Sequence, residues 1–230
     1  MGKYNISICI PALNEQNTLK EAVEDLLKTL ALYAQKLDII IVDDGSSDST
    51  PQVAEQLAKQ YHQVRVIHHP KKMGIGSCYR DALAFAQGDY FTWFPGDHEN
   101  SAEEFILCMP YLTNDTVVTC YHLGQDPRSS FRHFLSQNYT WFLNKIFRLN
   151  LKYYNGLTVF PTSILRSLNL VTDGFMFTAE NLIKAIKRGY KVVELSAPLR
   201  SRICGKSNAL TFSSAAQMAK DIFKLLVRKN

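Results

Sequence analysis

Carboxylates recur where the strands of this chain should end. Asn14-Glu15 follows the β-branched run Ile6–Pro11, Asp43-Asp44 closes the apolar run Ile39–Val42, and Asp97, His98 and Glu99 follow Tyr90–Phe94. Acids delivered by neighbouring strand ends converge, and they repel unless a cation or hydrogen-bond donors lie between them. Two kinds of chemistry suit such a group. It can accept hydrogen bonds from ribose hydroxyls or a base N–H, and it can bind Mg²⁺ or Mn²⁺, which prefer oxygen ligands and share them with substrate phosphates. The competing reading is a set of turn and helix-cap acids, because Asp, Asn and Ser favour those positions anyway. A single acid fits that reading well; three groups on successive strand ends fit it poorly.

The elements that must carry these acids alternate. Helix Leu19–Ala31 presents Leu19, Ala22, Val23, Leu26, Leu27 and Leu30 at i, i+3, i+4, i+7 spacing. Thr50-Pro51 marks an N-cap with proline at the first helical position, and Val53, Ala54, Leu57, Ala58 and Tyr61 form that helix's buried stripe. Val64–His68 reads as a strand, Ser77–Gln87 as a helix stopped by Gly88, and Tyr90–Phe94 as a strand. This β-α-β-α-β-α-β order predicts an α/β fold, an open, mostly parallel sheet with helices on both faces, whose ligands bind beyond the carboxyl ends of the strands. Strands Asp115–Tyr121, Gly156–Phe160 and Lys191–Pro198 follow, with helices Ser129–Leu149, Thr178–Arg188 and Thr211–Arg228. One domain over 1–230 is expected. It comprises a nucleotide-binding half (about 1–112), an acceptor half (about 113–208) and a basic amphipathic helix (209–230).

Composition narrows the classes. With 230 residues, 46% hydrophobic and 20% charged, the chain is ordinary globular material, which excludes disordered, collagenous and disulfide-scaffold proteins. Five scattered cysteines without a CxxC argue against a zinc ribbon and fit a reducing, cytoplasmic setting. No signal peptide or membrane-spanning run is expected. The net charge of +5 is uneven: from Lys184 onward there are eleven Lys/Arg against two acids, which points to an anionic partner, a phosphate or a membrane surface. No recognisable nucleic-acid module appears, so no nucleic-acid partner is expected. In the last helix, Phe212, Ala215, Ala216, Ala219, Ile222, Phe223 and Leu226 form an apolar face, with Lys220, Lys224 and Arg228 along the other. That helix either packs on the core or lies on an anionic membrane. The aromatic stretch Phe131, Phe134, Tyr139, Trp141, Phe142 and Phe147 offers the same choice between core and acceptor groove.

Ile8-Cys9-Ile10-Pro11-Ala12-Leu13-Asn14-Glu15, followed by Ile39-Ile40-Ile41-Val42-Asp43-Asp44-Gly45-Ser46-Ser47-Asp48-Ser49-Thr50, resembles the opening of family 2 glycosyltransferases. Gly174-Phe175, Ala179-Glu180-Asn181-Leu182, Gly189-Tyr190, Pro198, Arg202 and Gly205-Lys206-Ser207 resemble the end of the dolichyl/polyprenyl-phosphate sugar transferases. The resemblance implies a GT-A fold and inverting transfer of a sugar from a nucleoside diphosphate. It implies that Pro11, Ala12, Asn14 and Glu15 line the nucleotide pocket, that Asp43 and Asp44 contact base and ribose, and that Lys72 lies near the nucleotide. Asp97 would be the surviving acid of a D-x-D motif binding a divalent cation, with Glu99 a second oxygen ligand. Glu180 would lie near the acceptor, and Arg202 and Lys206 would bind phosphate.

Pro95 stands where that family has the first D-x-D acid, and Lys152-Tyr153-Tyr154-Asn155-Gly156 lacks an acid four residues before the glycine. A polyprenyl phosphate acceptor is already anionic, and Arg202, Lys206 and Arg132 would position it without a strong base. A hydroxyl acceptor would need a base, for which Glu180 is the candidate. The alternatives are a transferase building a cell-surface glycan on a hydroxyl, a nucleotidyltransferase, and a non-catalytic sugar-nucleotide-binding module. The nucleotidyltransferase is disfavoured because Pro11-Ala12-Leu13-Asn14-Glu15 replaces a Gly-rich basic loop.

Overall fold

Alternation along β1 (Tyr4–Ala12) decides the layering. Ile6, Ile8 and Ile10 enter one buried cluster and Cys9 enters another on the opposite face. On β2 (Ala34–Asp43), Ile39 and Ile41 join the first cluster, and Ile40 and Val42 the second. A strand buried on both sides needs helices on both sides. The computed structural model describes residues 4–97, 101–122, 130–197 and 212–227. Within them α1 (Leu19–Leu30), α2 (Thr50–Gln60) and α4 (Glu103–Cys108) contribute to the first cluster. The second takes side chains from α3 (Ile75–Phe85), α5 (Ser130–Phe147), α6 (Thr162–Ser167), α7 (Phe177–Lys187) and α8 (Phe212–Val227).

Adding β3 (Val64–His68), β4 (Tyr90–Trp93), β5 (Thr116–His122), β6 (Thr158–Pro161) and β7 (Lys191–Ala197) gives one sheet of order β3-β2-β1-β4-β6-β5-β7. Pairing is parallel except on both sides of β6, which runs antiparallel to β4 and β5. The chain moves outward from β1 to β3, then returns across the sheet to place β4 on the other side of β1. The strand order therefore reverses between β1 and β4, the position at which an open α/β sheet leaves a crevice beyond its carboxyl ends.

The expected alternation is present, with local differences. β2 begins at Ala34, five residues before the apolar run, because its first half is only partly covered. α3 starts at Ile75, two residues earlier than the pattern suggests. The N-cap of α2 is Ser49, not Thr50. Helices α4 and α6, six residues each, were not expected from the sequence; both are too short to show a 3.6-residue period. Cys9, Cys78, Cys108 and Cys120 are buried free thiols.

Between α5 and β6, Gly156 lies flat against β5: a Cβ there would run into the carbonyl oxygen of Cys120. Gly156→Ala should therefore cost about 2–3 kcal/mol by overpacking against immovable backbone. Urea unfolding checks this: the midpoint should fall at unchanged slope.

Candidate active site

The crevice is built around the end of β1. Asp44 N donates to Ala12 O at 2.9 Å, which carries the β2 end alongside β1. On the other flank, a Cβ on Gly96 would lie 3.2 Å from Pro11 O and 3.6 Å from Ala12 Cβ and Glu15 Cγ. Asp44 and the half-buried Asp97 thus follow backbone that touches opposite sides of the Pro11–Ala12 segment. Asn14 takes a left-handed conformation (φ 60°) and stitches the first loop to the second: Ser47 N donates to Asn14 Oδ1 at 2.9 Å, and Asn14 N reaches Ser46 Oγ at 3.0 Å. Glu15 N donates to Thr50 Oγ1 at 2.7 Å, and Thr18 Oγ1 to Glu15 Oε2 at 3.0 Å. Asp48 completes the seam by accepting from Thr50 N and Thr50 Oγ1. Burial alone would raise its carboxyl pKa, but the hydrogen bonds from Thr50 and Gln16 hold it below the ordinary value.

Asp43 and Asp44 are both buried, and protein donors engage both. Asp43 accepts from Ser46 N at 3.1 Å and faces His68 Nδ1 at 3.1 Å. Asp44 accepts from Met73 N (2.7 Å) and Gly74 N (2.9 Å) and faces His69 Nδ1 at 2.8 Å. The other ring nitrogen of His69 lies 3.0 Å from Asp81 Oδ2. Asp44 therefore folds the 69–74 segment around itself, so any contact it makes to a nucleotide is restricted to one edge. Gly45 (φ 72°) tightens the same turn, since a Cβ there would meet the Lys71 backbone at 2.6 Å. The backbone of the exposed Lys72 is thereby held beside Gly45, just past the end of β2. Donor atoms of Asp44, His69 and Cys78 lie within 4.8 Å of one another. Burial, and then the Asp44 carboxylate, push the Cys78 thiol far up.

Glu180 requires a correction. It is wholly buried, and its oxygens accept from Val171 N (2.8 Å), Thr172 N (2.9 Å), Thr172 Oγ1 (2.7 Å) and Lys184 Nζ (2.7 Å). A carboxylate so enclosed is not placed to take a proton from an acceptor. It clamps the 169–173 loop instead. That loop grips the Gly-rich turn: Gly76 N donates to Asp173 O at 2.9 Å, and Arg80 holds Thr172 O and the Asp173 carboxylate. Cβ atoms on Gly74 or Gly76 would collide with this backbone. Glu99, Arg202 and Lys206 lie outside the described residues, as does the side chain of Arg132. Sequence reasoning passed over His69, Asp81 and Arg80. The available signal was that His68-His69 ends β3 as Asp43-Asp44 ends β2.

Two clefts of about 730 and 670 Å³ open at the other end of the sheet, around Gln87-Gly88 and the starts of β1 and β4. They carry none of the convergent acids, and in an open α/β sheet the chemistry belongs at the carboxyl ends.

Residues 7–171 match the family model described as glycosyl transferase family 2. The chain belongs to this family. Among curated members, it is 28% identical over 182 residues to an uncharacterized glycosyltransferase of Rickettsia typhi (75% of this chain, 55% of that protein). It is 28% identical over 134 residues to glycosyltransferase GlyG of Streptococcus pneumoniae (57% and 44%). With glycosyltransferase AglD of Haloferax volcanii it shares 31% over 94 residues (40% and 15%). The chain thus spans between 15% and 55% of these relatives' lengths. Its fold matches that of glucosyl-3-phosphoglycerate synthase from Mycobacterium tuberculosis, solved with Mn²⁺, UDP and glucosyl-3-phosphoglycerate. The TM-score is 0.74 at 20% identity, over 99% of this chain and 82% of that one. The GT-A expectation for this family 2 member therefore holds.

Two tests follow from the site. Glu180→Ala strands Lys184 in the core and should cost roughly 3–5 kcal/mol in denaturant unfolding; a loss below about 1 kcal/mol would mean the clamp is solvated. His68 is held above the ordinary imidazole value, first by Asp43 and then by Glu55. A raised folded-state pKa stabilises fully below about pH 6.5 and is lost as pH rises through the folded value. Melting temperature should accordingly fall from mildly acidic to alkaline pH, and His68→Gln should flatten that slope.

Proposed function

We propose that this chain is the catalytic unit of an inverting glycosyltransferase that moves a sugar from a nucleoside diphosphate to a polyprenyl phosphate at a membrane face. The observation that carries the reading is the meeting of the β1, β2 and β4 ends, where Asp44 and Asp97 flank one short backbone segment. Pro11, Ala12, Asn14 and Glu15 form the wall against which the nucleoside rests, Asp43 and Asp44 present edges to base and ribose, and Lys72 lies over the same end of the sheet.

A divalent cation fits the donor set: Mg²⁺ and Mn²⁺ take one or two protein carboxylates plus substrate phosphate oxygens, and Asp97 is such a carboxylate, with Glu99 following. When bound, it stabilises the charge that develops on the departing diphosphate. The named relative in the solved complexes binds UDP with Mg²⁺ or Mn²⁺ and takes phosphoglycerate, so the fold accommodates an anionic acceptor. In this chain, Glu180 is sealed away from any acceptor hydroxyl. That favours a nucleophile already ionised near neutral pH, which needs positioning by cations such as Arg202 and Lys206 and no strong base.

Thermal shift with UDP-, GDP- and dTDP-sugars, with and without Mn²⁺, should find a donor that stabilises the fold only with metal. Asp97→Asn should abolish that metal dependence and lower transfer to undecaprenyl phosphate about a hundredfold or more. Transfer to a neutral glycan with no requirement for a lipid phosphate would overturn the acceptor assignment. Donor binding without turnover on any acceptor would favour a non-catalytic binding module.

A further inference from the structure

The apolar residues of α8 divide between the core and the surface: Ile222 packs against the second cluster, whereas Phe223 and Leu226 do not. α8 buries Asp221 and Leu225, and Lys224 turns back toward Asp173 (3.8 Å) and Asp221 (3.5 Å). Phe223 is left 66% exposed and Leu226 45%. α5 behaves likewise: Leu143 and Phe147 are buried, while Phe134 and Trp141 stand about 60% exposed one above the other, beside Phe142. Phe175, also exposed, joins the two helices. Its neighbour Met176 receives Tyr139 Oη of α5 at 2.8 Å, and a Cβ on Gly174 would lie 3.0 Å from Gln217 of α8. Exposed aromatics are normal singly and informative when contiguous.

Charge decides what covers this ridge. Helix α5 carries no Asp or Glu along its length. Lys145 lies over the Trp141 ring at 5.0 Å, and Lys220 is exposed on α8. The acid bordering the ridge, Asp173, is paired with Arg80 and Lys224. A second copy of the same cationic face would be repelled. An anionic phospholipid surface is complementary to it: Trp and Phe enter the headgroup boundary, while Lys145 and Lys220 meet the phosphates.

We propose that the Phe134–Trp141–Phe142, Phe175 and Phe223–Leu226 ridge docks on an anionic lipid bilayer. The ridge adjoins the crevice, since Phe177 stacks edge-on against Trp93 at the end of β4 with ring centroids 5.3 Å apart. Docking would therefore bring the sugar-transfer site to the plane in which lipid phosphates lie. The purpose of the surface rests on the lipid-phosphate reading above; its test does not.

The test is sedimentation of the full chain with phosphatidylcholine vesicles and with vesicles containing phosphatidylglycerol, neither holding polyprenyl phosphate. The expected result is binding to the anionic vesicles only, weakened by salt, with a blue shift of tryptophan emission. The combined Phe134→Ser, Trp141→Ser and Phe223→Ser variant should bind roughly tenfold less or weaker, at unchanged melting temperature, because these side chains are exposed. No binding, equal binding to neutral vesicles, or a dimer that the same substitutions abolish would overturn the proposal. Vesicle binding without lipid-phosphate transfer would overturn the acceptor reading and leave the surface standing; transfer in detergent without vesicle binding would do the reverse.

Discussion

Two buried carboxylates hold the chemistry of this protein in place, and both do so by capturing backbone N–H groups. Asp44 takes those of Met73 and Gly74, and Glu180 takes those of Val171 and Thr172. Removing an ionised carboxylate from water is costly unless several donors replace the lost hydration. Both acids meet that requirement by organising a loop, and the two loops lean on each other through Gly76 N and Asp173 O. A chain of short, desolvated contacts therefore runs from Lys184 through Glu180, the 169–173 loop and the Gly-rich turn to Asp44 beside β1.

This linkage explains why three glycines leave no room for a side chain. Gly45, Gly74 and Gly76 each bring backbone against backbone, where a single methyl group would collide. Gly45 and Gly74 also have positive φ, which only glycine adopts without strain. The crevice is consequently held tightly on the side of β2 and the Gly-rich turn. Its position beside β1 comes from topology: the return of the chain to β4 makes β1 the strand that both acid-bearing loops must border.

Much of this was legible in the sequence because buried parallel strands are written as continuous apolar runs and their ends as sudden acids. Ile39–Val42 followed by Asp43-Asp44 is the clearest case. What could not be read was where a carboxylate's oxygens point. Glu180 lies in the first turn of a helix, a position that suits an exposed acid as well as a buried one, and only packing shows that Lys184, one turn later, is buried beside it. The same limit applies to α8. Its heptad-like pattern identifies an amphipathic helix, but Asp221 is a core residue and Phe223 a surface one. A buried acid paired with a neighbouring lysine joins Met218, Ile222 and Leu225 on the core side and leaves Phe223 outside, which periodicity does not anticipate.

That burial has a physical consequence for α8. Asp221 is fully buried, and burial raises its carboxyl pKa while Gln217 and Lys224 oppose the shift. One of its oxygens has no hydrogen-bond partner, so α8 sits on the core at a cost that an apolar residue would not incur. The orientation that places Asp221 inward is also the one that turns Phe223 and Leu226 outward. A helix anchored by an imperfectly satisfied acid and displaying its aromatics is poorly optimised as a lid on a hydrophobic core. It is better matched to a surface on which the displayed side chains find a second apolar phase, and α5, free of acids along its length, presents the same preference from across the Gly174–Phe177 turn.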